Sequence, residues 1–337
     1  MKKNYITVLN VLACFMVVML HVNGDFWEFS FTKKWIFANA IESLAYFAVP
    51  VFFMISGANL IDYRNRYSTR MYIKKRIKKV IIPFIAWSIM GIIASLLFKS
   101  VSFGMIDFKF IIDGIFNSKI VEIYWFFIPL ITVYLAIPIY SLIPVLNRKK
   151  AYIYMIAWAI ITISILPLCF KILKIKFNND ISASVVGGYC IYALIGYLID
   201  HYKIKKRKIF IIIGILGLCI HFFGTWYLSY KIGKIDTMFK GYLNIPTVMY
   251  SVTIYYLFKE FVNINNPKII NKLNNISNAT FGIYLIHIYI IRIIEKILHI
   301  RTSFIFFKLI ETCAVFIVSY LIIYIMKKIP IIKELVP

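Results

Sequence analysis

Residues 47–60 read FAVPVFFMISGANL, and residues 61–83 continue as IDYRNRYSTRMYIKKRIKKVIIP. The first half is an apolar helix carrying Pro50 and the small pair Ser56-Gly57. The second half packs Arg64, Arg66, Arg70, Lys74, Lys75, Arg76, Lys78 and Lys79 into sixteen residues before Pro83 opens another apolar run. An apolar run that passes directly into a basic segment marks the cytoplasmic edge of a membrane span. Such a segment fixes orientation and can also hold a polyanion.

The surrounding chain fits that reading. It has 337 residues, is 61% hydrophobic and has a mean hydropathy of +0.81, well beyond an ordinary globular domain. Crossing a hydrocarbon core of about 30 Å takes roughly 20 helical residues. Apolar runs of that order fall at about 5–23, 36–61, 80–98, 122–146, 151–170, 184–200, 209–228, 241–261, 279–299 and 304–326. The fold class expected is an all-α polytopic membrane protein of about ten spans, a single domain over 1–337. The run from Ile106 to Phe116 is interrupted by Asp107, Lys109 and Asp113, and is expected to lie in the interface. Of the 39 Lys and Arg residues, 24 fall at the two termini and in 62–79, 147–150, 201–208 and 259–278. This places both termini and the basic segment in the cytoplasm, with the chain in the plasma membrane.

The net charge of +25 does not indicate a nucleic-acid partner, because most of it sits in loops between spans. Cys14, Cys169, Cys190, Cys219 and Cys313 all lie in apolar runs and read as small hydrophobes. No CxxC or HExxH spacing supports a metal site. The first apolar run resembles a signal peptide in its first half. It continues through Cys14, Phe15 and Met16 without a small-residue cleavage site, so it reads as a retained span.

Ionisable groups inside spans are costly and usually face the bundle interior. His21 near the outer end of span 1 and Glu42 in the outer part of span 2 fall at similar depth. A carboxylate beside an imidazole fixes its tautomer and raises its basicity, as a general base requires. The same pair also reads as a hydrogen bond fastening two helices. His287 follows Tyr284 by three positions on one helix face and reads as an inter-helix contact. His221 reads as structural. In the basic segment, Ile73, Ile77, Val80, Ile81 and Phe84 form an apolar face. Arg76, Lys79 and Pro83 form a stripe along its border, so these two bases point toward a cavity mouth where they suit phosphate oxygens. The other bases read as anchors facing water and anionic lipid.

Five pieces in order along the chain carry a family resemblance: VLNVLACFMVVMLH, FAVPVFFMISG, KKRIKKVIIPF, YWFFIPLITVYLAIP and ISNATFGIYLIH. Together they resemble the membrane acyltransferase-3 family, which moves acyl groups onto cell-surface glycans and other acceptors. The resemblance implies a cytoplasmic acyl-CoA donor, acetyl-CoA above all, and O-acetylation of a surface polysaccharide or lipid-linked glycan. It matches His21 to the family's span-1 histidine and Arg76 to its basic-loop arginine, with Lys79 as a second base. The chain departs from the family at Asn10, where an arginine is common, at Thr7, where an acid is common, and at Ile123, where a histidine is common.

The mechanism this implies is direct transfer. Arg76, Lys79 and Lys75 meet the CoA phosphates, the pantetheine arm runs past Asn10 and Ser56, and His21, oriented by Glu42, deprotonates an acceptor hydroxyl. GxSxG is absent, which disfavours a serine acyl-enzyme and leaves a histidine acyl-enzyme open. Trp125, Tyr284 and His287 are further pore or acceptor candidates. The partners expected are acyl-CoA, the glycan, the lipid bilayer and, in a homodimer, a second copy of the chain. His21 lies about three helical turns beyond Asn10, so the donor reaches it only through a deeply recessed mouth. The competing reading is an exporter of a polar or lipid-linked solute using His and Glu as a proton relay, although no internal repeat supports it. A structural or sensory partner in a glycan-synthesis complex is a weaker third.

Overall fold

The structure is a computed structural model that describes residues 3–97, 101–181, 186–298 and 305–337. The expected span ends at 98, 184, 299 and 304 lie outside the described residues. All regular structure among those described is helical: α1 (Asn4–Val22), α2 (Lys33–Ala45), α3 (Ala48–Leu60), α4 (Thr69–Arg76), α5 (Ile82–Leu97), α6 (Phe108–Phe116), α7 (Phe127–Tyr140), α8 (Val145–Ala159), α9 (Leu166–Ile172), α10 (Cys190–His201), α11 (Arg207–Cys219), α12 (Thr225–Ile232), α13 (Ile245–Phe261), α14 (Pro267–Leu298) and α15 (Ile305–Met326). Eight helical stretches among the described residues are long and apolar enough to cross a membrane. Two of the expected spans are shorter helices, α10 with 12 residues and α13 with 17. The five cysteines are free.

Span 2 is broken where its sequence says it must bend. Pro50 has no N–H to give to the Tyr46 carbonyl four residues back. The helix ends at Ala45 and restarts at Ala48, and Val51 N resumes the ladder on Phe47 O at 3.1 Å. Three π-helical turns, Ile77–Ile81, Ile160–Ile165 and Ile220–Gly224, join consecutive helices into long rods. The first fuses the basic helix α4 to α5, so the basic segment is the beginning of a span. The interfacial helix α6 is capped by Asp107, whose Oδ1 accepts from Phe110 N at 2.6 Å, and it leaves Phe108 and Phe116 exposed.

α14 begins twelve residues before the apolar run that announced it. The stretch 267–278 is too polar to read as membrane, yet it continues the same helix beside α1. The core is packed by α1 against α14, α3 and α15, and by α10 against α3. The α3–α10 approach depends on glycine. A Cβ on Gly57 would lie 1.8 Å from Ala193 O, and one on Gly196 would lie 2.1 Å from Met54 O. Without an apolar driving force between helices in lipid, such close backbone contact is what holds a pair together.

Both obstructing atoms are backbone, so neither can rotate away. Gly57→Ala is expected to destabilise the fold by more than about 2 kcal/mol, as overpacking does. Thermal melting of the purified protein in detergent checks this, and an unchanged melting temperature would contradict the close-packing account.

Candidate active site

The basic segment forms one wall of a cavity of about 800 Å³ between α1, α3, α4, α7 and α14. Lys3, Arg66, Lys75, Arg76, Lys79 and Lys327 all line it, Lys3 in an ion pair with the buried Asp200, and no Asp or Glu is among the lining residues described. The π turn at Ile77 interrupts the regular spacing between Arg76 and Lys79, yet both side chains border the cavity. Arg76 is half-buried, stands against the rings of Tyr134 and Tyr72 at 5.2 and 5.7 Å, and has a buried Nε with no hydrogen-bond partner. Lys75 lies 3.9 Å above the Tyr67 ring. Lys78 turns away and pairs with Glu334 at 3.0 Å. A mouth with a free Nε–H on Arg76 and no Asp or Glu in its described lining suits a multiply charged anion.

A narrower space of about 180 Å³ adjoins the first and shares Asn10, Ile55, Tyr134 and Phe281 with it. Its other walls are Phe52, Ser56, Phe126, Leu130, Thr280 and Tyr284. The two spaces together make a wide basic mouth that narrows to an apolar slot. Ser56 takes part through its position only, because its hydroxyl donates back to Phe52 O at 2.8 Å.

Asn10 and Thr7 fill the places of the missing charges with neutral bonds. Asn10 Nδ2 donates to Ser277 O, Ser277 Oγ and Thr280 Oγ1 at 3.1, 2.9 and 2.9 Å. Thr7 Oγ1 donates to Asn274 Oδ1 at 3.1 Å. All these partners are on α14, so the polar stretch missed in the sequence is what satisfies α1. Ile123 contributes its carbonyl, which accepts from Tyr284 Oη, while Tyr124 Oη donates to Leu285 O at 2.8 Å. These reciprocal bonds fasten the turn Glu122–Phe126 to α14 at the inner end of the slot.

One turn beyond Tyr284, His287 meets His21. The rings are stacked with centroids 5.0 Å apart, and His21 Nδ1 lies 2.8 Å from His287 Nε2. Hydrogen-bond logic assigns the tautomers. His287 Nδ1 is 2.8 Å from Tyr284 O and 3.2 Å from Ile283 O, and a carbonyl only accepts, so Nδ1 carries the proton. The neutral ring then has a bare Nε2, which accepts from His21 Nδ1–H. His21 is left with a free lone pair on Nε2, and the residue as a whole is half-buried while His287 is fully buried. A neutral histidine oriented by a second group on its far nitrogen is the arrangement of a general base.

The orienting group is therefore His287. The expected pairing of His21 with Glu42 is not formed. Among the described residues, the Glu42 carboxylate accepts from Asn23 Nδ2 at 3.3 Å. Similar depth on adjacent helices does not settle azimuth, and the break at Tyr46 re-aims α2 relative to α3. His221 also gains a partner, with Nδ1 3.0 Å from Ser43 Oγ. Trp125 is stacked on Tyr242, with centroids 5.4 Å apart at 22°. Lys3, Arg66 and Lys327 were missed as mouth residues, although the charge pattern had already grouped both termini with the basic segment.

The acyltransferase-domain family model (acyltransferase 3) matches residues 3–327. The chain belongs to the acyltransferase-3 family. No curated protein and no solved structure matches it significantly. It is a membrane acyltransferase, and the family's span covers the basic mouth, the slot and the His21–His287 pair together.

Replacing His287 with Ala removes the acceptor for His21 Nδ1–H. The expected result is a fall in kcat of about ten- to a hundredfold, with binding of the acyl donor unchanged. Steady-state kinetics beside donor binding checks this, and a wild-type kcat in the variant would remove His287 from the site.

Proposed function

We propose that this acyltransferase moves an acetyl group from cytoplasmic acetyl-CoA to a hydroxyl of a surface polysaccharide or its lipid-linked precursor, across the plasma membrane. The observation that carries the reading is the shape and charge of the recess: a mouth lined by six bases, of which Lys3 is paired with Asp200, and by no Asp or Glu among the described residues, narrowing past Asn10 to an apolar slot that stops at Tyr284, one turn from His287. The phosphates of CoA suit the mouth, with Arg76, Lys79 and Lys75 as their partners. The pantetheine arm suits the slot, where Asn10 and Ser56 stand. The recess begins at Lys3 and follows α1 from the basic end as far as Asn10, while on α14 it reaches Tyr284, one turn short of His287, the partner of His21. The bias of basic residues toward that end supports a cytoplasmic mouth and cytoplasmic termini.

In the transfer step the acceptor oxygen attacks the thioester carbonyl carbon. A C–O bond forms and the C–S bond breaks. The hydroxyl proton goes to His21 Nε2 and from there to the departing thiolate, leaving free CoA thiol. His287 holds the His21 ring and shares the positive charge that develops on it. With a direct route of this kind, no serine or cysteine nucleophile is required.

The reading is tested with protein reconstituted in nanodiscs. Wild type is expected to bind acetyl-CoA with an affinity that falls as salt rises, since the contacts are ionic. Arg76→Ala is expected to weaken binding about tenfold or more, the worth of a charge-assisted bond. Wild-type protein that fails to bind acetyl-CoA would overturn the donor assignment.

A further inference from the structure

The apolar slot ends in a wall of interlocked aromatic rings. Phe52 on α3, Phe126 at the end of the Glu122–Phe126 turn and Tyr284 on α14 all line the slot. Phe126 is the middle of the wall. Its ring centroid lies 5.9 Å from that of Phe52, 5.1 Å from Phe53 and 5.4 Å from Tyr284. Tyr284 is backed in turn by Phe127 and His287, each with centroids 5.6 Å away. Phe53, Phe126, Phe127 and Tyr284 are all buried, and Phe52 is half-buried. Rings packed at these spacings, from α3, the turn, α7 and α14, leave little room for any one of them to swing aside.

The wall is fastened as well as packed. Tyr284 Oη donates to Ile123 O, and Tyr124 Oη donates to Leu285 O at 2.8 Å. The turn that carries Phe126 and the helix that carries Tyr284 are thus tied to one another by two bonds beside the rings. Pushing the two rings apart would strain buried hydrogen bonds as well as packing.

The order of groups in a thioester donor decides what meets this wall. With the phosphates held at the basic mouth, the acyl group is the far end of the donor and the part that reaches deepest into the slot. The slot is narrow, about 180 Å³ against about 800 Å³ for the mouth. An acyl group that fits brings its carbonyl to full depth. A longer one meets the rings and holds the carbonyl back. Close-fitting apolar sites distinguish a single methylene by about ten- to two-hundredfold, and forcing extra methylenes into a packed wall is unfavourable.

We propose that Phe126, wedged between Phe52 and Tyr284, limits the length of the acyl group and restricts the donor to short chains. The proposal rests on the acyl-CoA reading of the recess and names the residue that sets which acyl groups the recess admits. Phe126 is the side chain through which the limit can be changed, because Tyr284 also touches His287 and its loss would disturb the base.

The test measures dissociation constants of acetyl-, butyryl- and hexanoyl-CoA with the protein in nanodiscs, corrected against empty nanodiscs. An apolar site with room to spare gains affinity with each methylene it buries, whereas a closed one loses it. Wild type is expected to bind hexanoyl-CoA about tenfold or more weakly than acetyl-CoA. Phe126→Ala is expected to abolish or invert that ratio, and Phe52→Ala, at a half-buried position of the same wall, is expected to shift it the same way if Phe126→Ala fails to fold. Wild type that binds hexanoyl-CoA as tightly as acetyl-CoA overturns the size limit and leaves the donor assignment standing. Folded variants that keep the wild-type ratio overturn the role of Phe126. Wild type that binds none of the three overturns the donor assignment, and the size limit with it.

Discussion

The seam between α1 and α14 is the contact on which the rest of the structure depends. In apolar surroundings a polar side chain must find its partner inside the protein, and from Thr7 onward α1 finds its partners on one helix, while Asn4 and Tyr5 bond Ile264 O and Asp200. Thr7 bonds Asn274, Asn10 bonds Ser277 and Thr280, Cys14 reaches Thr280 O at 3.5 Å, and His21 bonds His287. These rungs run the length of the span. They set the register of the two helices, and that register brings the two imidazoles together at one end while Asn10 and Ser277 border the basic mouth at the other.

The same seam explains how the chain manages without the arginine and the acid common at positions 10 and 7. An ion pair buried in a low-dielectric interior carries a large desolvation cost, which its attraction repays only with good geometry. Amide and hydroxyl groups cost less to bury, and here the Asn10 amide N–H groups and the Thr7 hydroxyl all bond to α14. The result is a mouth whose positive charge comes from α4, both chain ends and Arg66, with position 10 acting as a neutral joint. Charge is therefore confined to the rim, and the inner slot stays apolar.

Bending is the second device. Pro50 ends the hydrogen-bond ladder at Tyr46, and the π turn after Arg76 joins a water-facing basic helix to an apolar span without a loop. The first re-aims Glu42 and Ser43 toward Asn23 and His221, away from the His21 ring. The second lets Arg76 and Lys79 border one cavity while Lys78, between them, faces Glu334. Bends at such points separate residues that adjacency in sequence or depth would group.

Run length and composition were enough for the membrane class, because a hydrocarbon core imposes a length and excludes charge whatever the packing. Helical periodicity, a local property, singled out Arg76 and Lys79, yet Arg66 and Lys75 of the same segment line the cavity as well. The family could be read from motifs in order along the chain. The partner of His21 could not be read. Glu42 and His287 lie at comparable depth, and the choice between them turns on helix azimuth and register, which arise from contacts between residues 266 positions apart. The polar start of α14 was hidden for the same reason: Asn274 and Ser277 look like loop residues until α1 supplies their bonds. Tertiary packing alone decided which histidine holds the base, because hydrogen bonding inside a membrane protein is satisfied across helices and no local pattern records the partner.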